Sequence, residues 1–313
     1  MKVLIDHLNI VFISFSMTKR ELKEKGIDDF TEEHFGLFYH TLFNKYNLLF
    51  KTYGQLIICH EGYKSLDWRR SVYADYKRNR DAGKTDPSYL AFKKTLSVIE
   101  DVLNYYPCKQ IKVEGAEGDD VIYKLARYYA EEEGEDVLIL SGDGDLAQIK
   151  KYSDKISLYH PIRKKMVELK ENLLEYKAIV GDKSDNIPGL YRVGDKTFEK
   201  MMLDKKLYNE KMKGDNFESF QKFLKIVDLS QVPNDIQENI LKTNKELEFN
   251  KFKPGNIEKF YYDNDMKDHL RRWTKDTDEI NESCGTEYDY SASSVKIKKS
   301  KKDEFDDFLS DYV

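Results

Sequence analysis

Leu138-Ile-Leu-Ser-Gly-Asp-Gly-Asp145 constrains this chain more than any other stretch, because an apolar run stops at two acids with a glycine between them. The run is too short for a globular helix and has no polar alternation. A strand buried on both faces of a parallel sheet has that pattern. Open α/β sheets bind ligands just past the carboxyl ends of their strands, and Asp143 and Asp145 fall there. Two apart in an extended segment, they lean to the same side. Gly142 and Gly144 let the backbone turn and leave room for an ion or a phosphate. One polar corner at a strand end would be unremarkable, so the feature gains weight only if other acids arrive at the same edge.

Lys2-Val-Leu-Ile-Asp6 repeats the pattern and ends in Asp6, and Gln55-Leu-Ile-Ile-Cys59 repeats it with Glu61 just beyond. Residues 109–113 predict a short strand. Val113-Glu-Gly-Ala-Glu-Gly-Asp-Asp120 then runs into a helix with Glu117, Asp119 and Asp120 at its start. Acids favour helix N-termini through capping and the macrodipole, yet three within four residues repel one another more than capping requires. A strand is expected over 155–160 and a helix over about 172–180. Gly181-Asp-Lys-Ser-Asp-Asn-Ile-Pro-Gly189 then brings Asp182 and Asp185, and Val193-Gly-Asp-Lys-Thr197 opens another helix. Two helices joined by a Pro/Gly turn suggest a helix–hairpin–helix, whose backbone amides can hold a phosphate. Further helices are expected over about 31–51 and 91–105, and a polar helical region to about 275.

In a doubly wound sheet Asp6, Glu61, Glu117, Asp119, Asp120, Asp143, Asp145, Asp182 and Asp185 share one edge. So many carboxylates repel one another, which pushes their pKa values up unless counter-ions are present. Hard divalent cations with oxygen ligands, Mg²⁺ or Mn²⁺, answer that need. Histidine and cysteine are sparse nearby, which argues against zinc. Two ions ~4 Å apart could clamp the attacking and leaving oxygens of an in-line phosphoryl displacement. No Gly-Lys-Ser/Thr phosphate loop is present, which disfavours an NTPase.

Residues 64–84 carry Lys64, Arg69, Arg70, Lys77, Arg78, Arg80 and Lys84 against Asp67, Asp75 and Asp81, in a chain whose net charge is −5. Trp68, Tyr73 and Tyr76 are interleaved. Basic residues with aromatics suit a nucleic-acid backbone and its bases; a solvated charged face is the alternative. With 313 residues the chain can bury a sizeable core in one large domain or two. Cys59, Cys108 and Cys284 have no metal spacing, so a reducing compartment without disulfides is expected. No apolar stretch is long enough for a bilayer and the start has no signal-peptide core, so a cytoplasmic protein without membrane contact is expected.

Glu117-Gly-Asp-Asp120, Ser141-Gly-Asp-Gly-Asp-Leu-Ala-Gln148, Tyr76-Lys-Arg-Asn-Arg80 and the 181–189 block together resemble the signature blocks of the flap endonuclease/5′→3′ exonuclease family. Trp68-Arg-Arg70, its spacing to Tyr76, and Pro161-Ile-Arg-Lys-Lys are closest to the T-even phage members. The resemblance runs from Asp6 to about residue 275. It implies an α/β fold: a PIN-like, mostly parallel sheet flanked by helices over 1–180, with a helical arch over about 64–98. A helical region with the helix–hairpin–helix follows over 181–275. The implied activity is Mg²⁺-dependent removal of RNA primers and 5′ flaps during replication, with two ions for which Mn²⁺ can substitute. The implied substrates are DNA and RNA–DNA duplexes with 5′ ends or flaps.

By position, the acids from Asp6 to Asp145 match the family's acidic cluster, and Asp182 and Asp185 match a pair that often reaches metal through water. Lys77 and Arg80 match arch residues that steer the scissile phosphate. The expected nucleic-acid contacts are Arg69, Arg70, Tyr76, Lys77, Arg80, Gly189, Gly194 and Lys196. Three positions depart from the family pattern: Glu61 replaces an Asp, His7 a common glycine, and Arg192 the middle glycine of the hairpin. A catalytically silent DNA-binding or scaffold protein on the same fold is the alternative. A ribonuclease acting on single strands is a third reading, which the hairpin block speaks against.

Residues 276–313 lie beyond the resemblance, and their acidic, small and then basic composition predicts disorder. Phe305, Phe308, Leu309 and Tyr312 recur at three- and four-residue steps, as on one face of a short helix that docks into a partner's groove. A sliding clamp is the first candidate partner, with a single-strand-binding protein as another.

Overall fold

The computed structural model describes residues 1–285. In chain order the elements are β1 (Lys2–Asp6), α1 (His7–Glu24), α2 (Phe35–Tyr53), β2 (Leu56–Cys59), α3 (Asp67–Val72), α4 (Pro87–Leu103), β3 (Cys108–Ile111), α5 (Gly118–Arg127), β4 (Val137–Leu140), β5 (Ile156–His160) and β6 (Lys165–Met166). Helices α6 (Leu173–Val180), α7 (Asp195–Leu203), α8 (Lys205–Lys211), α9 (Asp215–Val227), α10 (Asn234–Glu246), α11 (Pro254–Asp263) and α12 (Lys267–Cys284) complete it.

The sheet order is β3-β2-β1-β4-β5-β6, parallel except for β6, which runs antiparallel to β5. Strand side chains alternate between faces, and each face here is covered. Val3, Ile5, Leu56, Ile58, Leu138 and Leu140 join the core under α1, α2, α4, α11 and α12. Leu4, Ile57, Cys59, Val137 and Ile139 join the core under α5 and α10. Helices on both faces explain why the strands read as continuous apolar runs. β1 has β2 on one side and β4 on the other, so the strand order reverses at β1. A ligand crevice opens at such a point.

Helix α1 was not legible as a helix. Its buried positions include His7, Ile10, Val11, Ser14, Thr18 and Leu22, so two hydroxyls break the apolar stripe. They tolerate burial because Ser14 Oγ donates to the Ile10 carbonyl at 2.9 Å and Thr18 Oγ1 to the Ser14 carbonyl at 3.0 Å. The expected arch begins with α3, continues as a 3₁₀ segment over Arg78–Thr85, and returns through α4. Its base is anchored: Tyr76, Leu66, Val72 and Tyr73 pack with Ala178, Ile187, Phe223, Ile226 and Val227 of α6, α9 and the loop between α6 and α7.

That loop is tight. Asp182 and Ile187 exchange two backbone hydrogen bonds of 2.8 Å. Gly189 sits at φ +75 with Val180 and Ile179 backbone so close that a Cβ would fall within 2.7 Å of them. Arg192 itself adopts φ +58, the left-handed region in which glycine is at ease.

The disordered region expected from 276 starts too early. Helix α12 continues to Cys284, with Asp276, Thr277 and Ile280 buried and Ile280 in the core against α2. The acidic composition misled because Asp276 is paired: Lys51 Nζ lies 2.8 Å from it and 3.2 Å from Glu279. The proposed docking face at 305–312 lies outside the described residues. Among the described residues no helix is long and apolar enough to cross a membrane.

Candidate metal centre

The carboxyl edge of the sheet opens into a cavity of about 220 Å³ lined by seven of the nine predicted acids: Asp6, Glu61, Glu117, Asp119, Asp143, Asp145 and Asp185. Lys77 and Arg80 line it too. All but Asp185, which comes from the α6–α7 loop, arrive by a short route from a strand. Asp6 ends β1 and caps α1, accepting from Asn9 N at 3.1 Å and from Ser141 Oγ at 2.6 Å. Glu61 follows β2. Glu117 and Asp119 open α5 after β3. Asp143 follows β4, and its Oδ1 accepts from Asp145 N at 2.8 Å.

Crowding and burial set the electrostatics. Burial pushes the Asp6 carboxyl up to about 6, with nearby Asp143 adding to the rise. Burial, then Asp143 and Asp6, hold Asp119 well above the usual carboxylate range. Glu61 is raised by burial and by Glu117, and Asp145 by burial and by Asp143. The cavity therefore attracts positive charge. Its donors are mostly carboxylate oxygens and include no histidine, which fits a hard divalent cation. Among the described residues no three acidic, histidine or cysteine side chains already converge as a metal cage.

Two lysines supply the positive charge instead. Lys77 is buried, bonded to Glu117, and 4.0 Å from Asp185. Burial alone would raise the Glu117 carboxyl; Lys77 and Arg69 reverse this and leave it below its ordinary value. Lys177 of α6, which the sequence reading did not single out, bonds Asp145 and reaches Asp182 at 2.6 Å. Together with Ser184 it holds Asp182 down at about 2 against the effect of burial. Asp182 thus stands beside the cavity, joined to it by Lys177. The available signal was position: Lys177 lies one helical turn and a glycine before Asp182.

Three expectations need correction. Asp120 does not join the other acids. Its oxygens accept from Arg69 at 2.6 and 3.0 Å and from the Glu117 amide at 3.0 Å, and it is fully buried. Arg69 is 2% exposed and also donates to Glu117 at 2.6 Å, so it does not face a nucleic acid. Tyr76 is buried as well, its hydroxyl donating to Glu117 at 3.1 Å. The interleaving of aromatic and basic residues has an internal cause here: the Arg69 guanidinium lies over the Trp68 ring at 4.2 Å. Arg70 is half-buried and donates to the Tyr76 carbonyl at 3.1 Å. Arg80 remains half-exposed, 3.1 Å from Asp185. Gly189 is half-buried against the α6 backbone, whereas Gly194 at the α7 N-cap and Lys196 in its first turn are exposed.

Residues 1–178 match the model of the 5'-3' exonuclease N-terminal, resolvase-like domain. The chain is 31% identical over 198 residues to a 5'-3' exonuclease of Buchnera aphidicola, covering 59% of this chain and 65% of that one. It is 26% identical over 212 residues to Ribonuclease H of Enterobacteria phage T4, covering 60% and 69%. It is 31% identical over 160 residues to the thermostable DNA polymerase I of Thermus thermophilus, covering 48% of this chain but only 18% of the polymerase. The chain thus spans less than a fifth of the polymerases it matches. Among solved structures, the T5 5'-exonuclease with divalent metal ions (zinc) superposes with a TM-score of 0.51 at 17% identity, over 78% of this chain and 98% of that one. At that identity the likeness establishes the fold.

Proposed function

The chain belongs to the 5'-3' exonuclease family, with the resolvase-like domain at its N-terminus, and from that premise we propose that it is a divalent-metal-dependent 5′ nuclease. It hydrolyses phosphodiester bonds at 5′ ends and flaps of DNA and RNA–DNA duplexes, including RNA primers left by replication. One observation carries the reading: acids from the ends of β1, β2, β3 and β4 and from the α6–α7 loop converge on one cavity. A silent scaffold on this fold has no use for carboxylates that raise one another's pKa.

Asp6, Glu61, Glu117, Asp119, Asp143 and Asp145 would hold Mg²⁺ or Mn²⁺, two ions in all, with Asp182 and Asp185 contributing from the loop side. Bound there, the ions would supply Lewis-acid charge to the phosphodiester and activate the attacking water. Lys77 and Lys177 keep the acids together until that charge arrives. Arg80, half-exposed at the cavity mouth, orients the scissile phosphate, and Lys77 offsets its developing charge. The α6–loop–α7 unit acts as a helix–hairpin–helix, its exposed Gly194 and Lys196 meeting the duplex backbone. Residues 303–313 dock on a sliding clamp; deleting them should remove clamp stimulation and leave cleavage by the protein alone.

The test uses three labelled substrates with Mg²⁺: a duplex with a 5′ flap, one with a 3′ flap, and a nicked RNA–DNA duplex. Cuts at the 5′ flap junction and at the 5′ end of the RNA, with the 3′ flap intact, support the reading. Cutting of the 3′ flap alone, or none at all, refutes it.

A further inference from the structure

The two faces of the sheet are not covered equally at its β6 edge. On the face under α1, α2 and α12, side chains of β1, β2, β3 and β4 are buried in the main core, and none from β5 or β6 is. Ser157 and Tyr159 of β5 stay half-buried there. Met166, paired with Tyr159 across the antiparallel β5–β6 ladder, is 49% exposed. Cross-strand partners share a face, and the neighbouring Val167 points the other way, into the core under α5. The opposite edge is closed on the same face: β3 buries Cys108, and Gln110 donates to the Glu100 carbonyl of α4 at 2.9 Å. Parallel sheets are covered on both faces, so among the described residues one layer is missing over β5 and β6.

The β5–β6 hairpin also shows what the missing layer must be. Ile162 and Leu169 are exposed near Met166. Arg163, Lys164 and Lys165 are exposed too and, among the described residues, in no ion pair. Glu168 is neutralised by Lys150 at 2.5 Å. An apolar strip edged by cations suits an amphipathic helix that carries acids beside its apolar face. A phosphate backbone would leave the apolar strip uncovered. Residues 303–313 are such a segment: Phe305, Phe308, Leu309 and Tyr312 recur at helical steps, with Asp303, Glu304, Asp306, Asp307 and Asp311 among them. As a helix they would span ~16 Å, about three strand spacings. The reach suffices. Helix α12 ends beside α2, where Ser283 Oγ donates to the Lys51 carbonyl at 2.5 Å, just before β2. From β2 to β6 is four strand steps, roughly 20 Å. Residues 286–302 extend to at most roughly 55 Å.

We propose that residues 303–313 cover the open face of β5 and β6, their aromatic side chains on Tyr159 and Met166 and their acids on Arg163, Lys164 and Lys165. A clamp would take the same residues, so the clamp and the sheet face exclude each other. The sheet face is then where these residues rest when no clamp is present. The proposal stands on the sheet and the sequence, and it requires neither the nuclease reading nor the clamp.

The test follows the methyl signals of ¹³C-methionine-labelled protein by NMR, in the full chain and in a variant lacking residues 303–313. Deletion should shift the Met166 signal and leave that of the buried Met201 in place. Phe308→Ser in the full chain should shift Met166 in the same direction. A synthetic peptide of residues 303–313, added to the shortened protein, should restore the original signal saturably. Lys164→Glu with Lys165→Glu, both at exposed positions, should weaken that peptide roughly tenfold, the scale of two surface ion pairs. A Met166 signal unmoved by the deletion overturns the proposal. So does a Met166 signal in the shortened protein that ignores the peptide. If it moves instead with protein concentration, the face belongs to a second copy; if it moves only with an added DNA duplex, it belongs to nucleic acid. Either result also overturns the proposal.

Discussion

Arg69 illustrates how far one residue's environment can reverse a sequence reading. In the sequence it is one cation in a basic stretch beside a tryptophan. In the structure it is a buried strut whose guanidinium spans Glu117 and Asp120, with Nε donating to the Ile226 carbonyl at 3.0 Å. Breaking a buried pair by removing one partner costs about 3–5 kcal/mol, because a charge is left unpaired. Arg69→Ala should therefore lower the unfolding free energy measured in urea by that amount, with a matching fall in the midpoint. An unchanged midpoint with weakened, less salt-dependent duplex binding would instead restore Arg69 to the nucleic-acid surface. Asp120 gives the matching case. Its place in the acidic block was legible, but its direction was not, because a residue at the third position of a helix can turn back to cap the first turn.

The strand ends were the easiest elements to read: period, length and the terminal acid all agreed for β1, β2 and β4. Helices were legible where their stripe was apolar and hidden where it was polar. Helix α1 carries Ser14 and Thr18 on its buried face, and α12 carries a paired Asp276. The boundary of the folded chain moved with α12, which packs Trp273 and Ile280 into the main core. Ile280→Ala should destabilise the protein by about 2–5 kcal/mol, the usual cost of emptying a fully buried site. Thermal unfolding of that variant checks this. A shift no larger than for an exposed substitution on the same helix, such as Lys275→Ala, would return 276–284 to the tail.

At the scale of the molecule, the mostly parallel sheet, the shared edge and the family were legible from the acidic blocks, whereas the strand order was not. What stayed hidden were the contacts between regions distant in sequence, such as Lys177 with Asp145 and His40 with His269. The last pair bears on stability. His269 is fully buried, its Nδ1 3.1 Å from His40 Nδ1, and burial holds it down at about 3. The unfolded chain binds that proton near 6.5 and the folded one does not. Stability is therefore complete above about pH 6.5 and lost as pH falls. Between about pH 6.5 and 5 the loss from this group is on the order of 2 kcal/mol. His269→Asn should flatten that part of the stability profile, and an unchanged slope would reject the assignment.

The central claim is that the converging carboxylates recruit the divalent charge that cleavage needs. The most direct measurement is single-turnover cleavage of a 5′-flap duplex across a Mg²⁺ titration, by the wild type and by Asp143→Asn. The account predicts no cutting by the wild type in chelator and a saturable rise with Mg²⁺. At saturating Mg²⁺ the variant should be slower by at least about a hundredfold, with its duplex binding retained. Cutting by the wild type in chelator, or by Asp143→Asn at the wild-type rate, would contradict it.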